Sequence, residues 1–198
     1  MPRFTRAELE SFRGAEVPDL VGPGVRLVFV GINPGLLTAA RQIHFGNPGN
    51  RFRPALVTAG LLDPPVDGVS GMTDEDLAAL LARGVGITNL VPFATARADE
   101  LTKHQLLAGR HRLESFVAEH RPRVVALLGI TAYRTAFGRL RAVTGRQPEP
   151  IRDAELWVVP NPSGLNAHES VASLAAAYTE PALAAGIALS PPAAEPVR

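Results

Sequence analysis

The chain contains no cysteine. Disulfides, thiolate zinc sites, iron–sulfur clusters and a cysteine nucleophile are thereby excluded. Long apolar runs are missing as well. No stretch approaches the roughly 20 residues of a membrane-spanning helix, although 46% of the residues are hydrophobic and mean hydropathy is +0.09. The opening Met1-Pro2-Arg3-Phe4-Thr5-Arg6 lacks the apolar centre of a signal peptide. A cytoplasmic protein with no membrane partner is the expectation. Excess charge of one sign is also absent: 20 Lys and Arg face 19 Asp and Glu, for a net charge of +1. The molecule as a whole is therefore no polycation. Neither a phosphate-cradling Gly-Lys-Ser/Thr loop nor a Gly-x-Gly-x-x-Gly turn occurs.

What is present suits one globular α/β domain. A chain of 198 residues can bury a real core, in one domain or at most two small ones. Four segments read as strands covered on both faces: Arg26–Val30, Val85–Val91, Arg123–Leu128 and Glu155–Val159, three of them nearly continuous Val, Leu and Ile runs. Helical patterns lie between and after them. Thr73-Asp74-Glu75-Asp76 opens one helix, whose stripe is Leu77, Leu80 and Leu81 and whose stop is Gly84. Thr102 with Gln105 opens a second, running to the turn at Arg121-Pro122. Gly129–Phe137 reads as a third. Val171, Leu174, Ala175 and Tyr178 stripe a fourth, which Pro181 should interrupt.

Strands alternating with helices imply right-handed crossovers and a parallel sheet. The expected fold class is a three-layer α/β/α domain with a mainly parallel, four-stranded central sheet. It should span residues 23–188, preceded by a peripheral, partly helical segment (1–22) and followed by a Pro- and Ala-rich disordered tail (189–198).

Two segments carry the functional signal. Gly31-Ile32-Asn33-Pro34-Gly35 follows the first strand, and Asn161-Pro162-Ser163-Gly164-Leu165 follows the last. Open parallel sheets bind ligands at the carboxyl ends of their strands, so two loops more than a hundred residues apart should face one cleft. Asn33, held extended by the following proline, offers an amide that donates and accepts but does not titrate. Taken alone, the segment also reads as a plain turn whose Asn caps its own backbone. Between the two lies Gln42–Phe52, a loop-like stretch in which Phe45 is either a stacking platform for a planar ring or a core cap. His44 has no second ligand at metal spacing, so no metal site is read. In the second loop, Leu165 is either a wedge for a base stack or a hydrophobic staple for the final helix. Pro162-Ser163-Gly164 is no nucleophile elbow, which weakens a Ser163–His168 hydrolase. The basic cluster Arg134, Arg139, Arg141 and Arg146 reads as a solvated helix and loop, or as a face for phosphates.

In order and spacing, these pieces resemble the mismatch-specific uracil/thymine DNA glycosylase family of the uracil-DNA glycosylase superfamily. The resemblance runs from about Pro23 to Tyr178. It rests on Gly31–Gly35, on Phe45 with Asn47–Phe52, on Gly86-Ile87-Thr88-Asn89-Leu90-Val91 and on Asn161–Leu165. It implies an enzyme without cofactor or metal. The implied partner is double-stranded DNA carrying a G:U or G:T mismatch, and the implied state is a monomer. Asn33 would position the water that attacks the sugar C1′. Ile32, Pro34, Phe45, Asn89 and Asn161 would hold the extruded pyrimidine. Ser163, Gly164, Leu165, Asn166 and His168 would fill the gap in the duplex and contact the orphaned guanine. Enzymes that act on a base inside a duplex flip it out, and mismatched bases flip at least cost. An Asn where a charged base would serve better implies a slow enzyme: a missing charge worth ~2–4 kcal/mol costs roughly 10²–10³ in rate. Two departures from the family pattern stand out. Pro92 and Phe93 stand where relatives often carry an acidic residue followed by Arg, and Asn89 matches the eukaryotic thymine-processing branch rather than the bacterial prototype.

Overall fold

The computed structural model describes residues 4–64, 71–164 and 166–190. In chain order the elements are α1 (Arg6–Glu10), β1 (Leu27–Gly31), α2 (Leu36–Arg41), α3 (Phe52–Thr58), α4 (Asp74–Ala82), β2 (Val85–Asn89), α5 (Lys103–His120), β3 (Val124–Leu128), α6 (Ile130–Phe137), β4 (Gly145–Arg146), β5 (Glu155–Val159) and α7 (Val171–Ala184). The sheet order is β2-β1-β3-β5-β4. Its first four strands are parallel and β4 pairs antiparallel with β5 at the edge.

Residues of β1, β2 and β3 are buried without exception, because helices cover both faces. Alternation sorts their side chains. Leu27, Phe29, Val85, Ile87, Val124 and Ala126 point into one core with α3, α4 and α7. Val28, Val30, Val125, Leu127, Leu156 and Val158 point into the other with α5 and α6. The result is the expected three-layer α/β/α arrangement. A bidentate, buried Arg53–Asp76 pair (2.5 and 3.0 Å) links α3 to α4. Capping boxes at Thr73, Thr102 and Ser170 start α4, α5 and α7.

Two expectations are corrected. The sheet has five strands rather than four, because β4 is two residues long and such a strand carries no hydrophobic period. Pro181 does not interrupt α7. It lies inside the helix and is buried between Tyr178 and Ala182, and hydrogen bonding resumes with the Ala185 amide on the Pro181 carbonyl at 3.0 Å. Burying that face offsets the one bond the ring removes. At the C-terminal end, Leu189 packs against the core, and the Ser190 amide donates to the Gly60 carbonyl at 2.8 Å. Residues 191–198 of the expected tail lie outside the described residues.

Three of the four arginines of the basic cluster are tied up locally. Arg134 donates to the Ala142 carbonyl, while Arg139 pairs with Glu149 and Arg146 with Glu155.

Candidate active site

The carboxyl ends of β1, β2, β3 and β5 open into one cavity of about 530 Å³. β1 contributes Gly31 and the turn Ile32–Gly35, β2 contributes Asn89, β3 ends at Leu128, and β5 leads into Asn161–Gly164. A β-carbon built on Gly129, just past β3, would lie 3.2 Å from Ile32 Cδ1 and 3.8 Å from Asn161 Nδ2. The two Asn-Pro loops therefore meet across that glycine.

Backbone bonds lock the Asn33 turn from the chain that leaves β2. The amides of Leu90, Val91 and Thr95 donate to the carbonyls of Gly31, Ile32 and Pro34 at 2.8, 2.9 and 3.2 Å. The side chain is fixed as firmly. Asn33 Nδ2 faces Thr95 Oγ1 at 2.7 Å, the Pro34 carbonyl at 3.1 Å and the Phe93 carbonyl at 3.4 Å. Carbonyls only accept, and the Thr95 hydroxyl donates its proton to the Arg97 carbonyl at 2.7 Å. The amide nitrogen must therefore be the atom on that side. Oδ1 accepts nothing from the described residues and keeps its access to the cavity.

Phe45 sits opposite in a left-handed backbone conformation (φ 53°) that a non-glycine residue rarely adopts. Its ring lies on Phe52 (centroids 4.0 Å apart), which packs on Phe29 and Tyr178. Phe45 also lines the cavity. Both neighbours are pinned: Arg41 donates to the Gly46 carbonyl at 2.9 Å, and buried His44 meets the Pro18 carbonyl through Nε2 at 2.8 Å. Asn89 is held by its own carbonyl, which accepts from Arg112 at 2.8 Å; Arg112 in turn pairs with Asp19. Gly31 separates Phe45 from Asn89, and a β-carbon there would overlap Asn89 Oδ1.

Burial pushes the His44 imidazole below its ordinary range, opposed only in part by the Pro18 carbonyl and the Asp19 charge. The ring is neutral in the folded state and titrates normally in the unfolded one. Below pH about 6.5 the unfolded chain thus binds more protons. Through this group, stability should be constant above that pH and fall as the pH drops below it. Thermal melts across about pH 5–8 check this, with His44→Asn expected to flatten the slope.

The second loop is an Asx turn, with the Ser163 amide on Asn161 Oδ1 at 2.9 Å. Tyr178 Oη fixes the preceding Pro160 carbonyl at 3.0 Å, and burial drives that phenol well above its ordinary value. Arg51 ties the Phe45 loop to the second loop. Its backbone amide donates to the Pro162 carbonyl at 2.9 Å. Its guanidinium donates to the carbonyls of Ser163 (2.7 Å), Asn166 (2.5 Å) and Glu169. Gly164 runs so close to Gly49 that a β-carbon would come within 2.7 Å of the Gly49 carbonyl oxygen.

Of the residues singled out from sequence, Ile32, Asn33, Pro34, Phe45, Asn89, Asn161, Ser163 and Gly164 line this cavity. Asn166 and exposed His168 lie outside its wall, and Leu165 lies outside the described residues. Thr95, Arg51 and Leu9 were missed.

A model of the uracil DNA glycosylase superfamily matches residues 18–183, most of the chain. The chain belongs to that superfamily. Its class of activity is therefore that of a DNA glycosylase, a hydrolase of DNA repair that cuts glycosidic bonds. Among solved structures, it is similar to the solution NMR structure of a Methanosarcina acetivorans protein described as a candidate uracil DNA glycosylase. The TM-score is 0.54 at 18% identity, over 85% of this chain and 97% of that one. At that identity the likeness concerns the fold. No helix among the described residues is long and apolar enough to cross a membrane.

Proposed function

We propose that this glycosylase is monofunctional and releases uracil, and more slowly thymine or modified pyrimidines, mispaired with guanine in double-stranded DNA. One observation carries the reading: an amide whose nitrogen is locked and whose oxygen is open faces the same cavity as an aromatic platform and a second amide. The extruded base stacks on Phe45. Ile32 and Pro34 bound it, Asn89 reads its polar edge, and Asn161 closes the far side. Asn33 Oδ1 accepts from a water and aims it at C1′ as the glycosidic bond breaks. Bond cleavage sends the electron pair to the departing base and leaves an oxocarbenium-like sugar, which the water captures, its released proton neutralising the departed base anion. Ser163 and Gly164, with Leu165 beside them, face the gap in the duplex. Asn166 and His168 contact DNA outside the pocket, and the enzyme works as a monomer in the cytoplasm without metal or cofactor.

No Asp or Glu lines the cavity among the described residues. Catalysis thus lacks a strong base and leans on leaving-group quality, so uracil should depart faster than thymine. Duplexes with a single U:G, T:G or U:A pair, treated with protein and then alkali, test the reading. Strand scission should rank U:G above T:G. Salt-sensitive binding with no scission from any duplex would leave a binding module in place of an enzyme.

A further inference from the structure

The family match begins at residue 18, yet the cavity wall does not. Leu9, in α1, lines it beside Leu36, Leu37, Ala96 and Ala98. Leu9 is also the one residue of α1 that is half-buried rather than exposed.

The segment that carries Leu9 is firmly docked. The Gly14 amide donates to the Ala94 carbonyl, and the Ala94 amide donates to the Ala15 carbonyl, both at 2.9 Å. Glu16 bridges antiparallel to Phe93. Arg13 pairs with Glu100 and, at 2.9 Å, with Glu10. Phe12, Ala15 and Val17 pack with Leu36, Ala39 and Ala94. Its anchor, the chain from Phe93 to Arg97, is the one that holds the Asn33 amide through Thr95. A wall so placed has a defined position relative to the catalytic group. Its anchor ties it to the Asn33 side of the cavity, where Leu9 and its packing partner Leu36 present apolar side chains.

Resting on the glycosylase reading above, we propose that segment 4–17 is a substrate-contacting wall of the active site. Leu9 packs on the deoxyribose of the extruded nucleotide and keeps bulk water from the Asn33 side of the cavity. An apolar surface there offers no competing partner to the one water that Asn33 holds.

The test uses the full chain and a duplex with one tetrahydrofuran abasic analogue opposite guanine. Leu9→Ala should weaken binding of that duplex, and lower kcat/KM on U:G, each about tenfold, the effect of losing part of one buried aliphatic contact. The melting temperature should stay near wild type, because α1 buries no residue completely. Leu9→Gln, equal in length and polar at its end, should lose as much, whereas Leu9→Met should restore both values. On binding the duplex, amides of residues 9–15 should exchange more slowly. Wild-type binding and turnover in Leu9→Gln, or no added protection at residues 9–15, overturns the inference, even where Leu9→Ala fails to fold. A wild-type protein that cleaves no duplex, yet binds the abasic analogue in a Leu9-dependent way, overturns the uracil reading and leaves this one standing. A protein that neither cleaves nor binds it overturns both.

Discussion

Asn33→Ala is expected to lower single-turnover base release from a U:G duplex by roughly a thousandfold while DNA binding stays within about twofold, as for loss of one preorganised polar group at a reacting centre. Oδ1 is the polar atom of the Asn33 side chain left open to hold a water, and the backbone of the turn does not depend on the side chain, since the carbonyls of Gly31, Ile32 and Pro34 are met by Leu90, Val91 and Thr95. Binding rests instead on the stacking face and the two loops. Thr95→Val keeps the shape and removes the hydroxyl that orients the amide. The Arg97 carbonyl also loses its donor. A group worth about 1–3 kcal/mol is at stake, or roughly 10–100-fold in rate. The same geometry bears on Asn33→Asp. A carboxylate would face two carbonyls that can only accept and a hydroxyl already committed to a third. Gaining a base would thus cost the orientation that makes it useful, so Asn33→Asp should not outperform the native enzyme. Rates measured across pH for the three variants separate loss of water placement from loss of fold.

The four parallel strands, the caps at Thr73 and Thr102 and the two Asn-Pro turns were legible in the sequence because each is a local pattern. A buried strand is a short apolar run, and a capping box is a pair of residues three apart. The partners that make the site work are not local. Thr95 reaches Asn33 across 62 residues, as one threonine among several with no distinguishing neighbour. Arg51 acts on backbone carbonyls, which every residue has. Leu9 precedes the matched family region and shows only as one apolar side chain in a short, charged helix. Phe45 was left between platform and core cap, and the structure shows why: its ring rests on the aromatic core while still lining the cavity. The proline in α7 shows the opposite limit, where tertiary burial overrides a strong local signal.

Arg51→Ala should have the largest effect on the architecture of the site. It would remove the guanidinium from three carbonyls, at Ser163, Asn166 and Glu169, of which only the Ser163 carbonyl keeps another donor among the described residues, the Asn166 amide at 2.9 Å, in a loop with little room to rearrange because Gly164 already abuts Gly49. Leaving the part-buried Asn166 and Glu169 acceptors unmet costs about 1–3 kcal/mol each, less whatever water recovers. A net loss of about 3 kcal/mol lowers the melting temperature of a domain this size by roughly 6–12 °C. Not all of the side chain contributes, since Arg51 Nε is enclosed without a partner among the described residues and the clamp works through its two terminal nitrogens. Lysine cannot reproduce that fork, so Arg51→Lys should recover only part of the loss. The functional signature follows from what the clamp joins. It sets the distance between the loop that stacks the base and the loop that faces the gap in the duplex. That distance matters when a base must be drawn out of paired DNA, and much less when uracil is offered in a single strand. Assayed well below its melting temperature, Arg51→Ala should lose at least tenfold more activity on a U:G duplex than on single-stranded uracil DNA, about the 1.4 kcal/mol of one misplaced contact. Equal losses on both substrates would mean that Arg51 only stabilises the fold and that the two loops are not coupled in extruding the base.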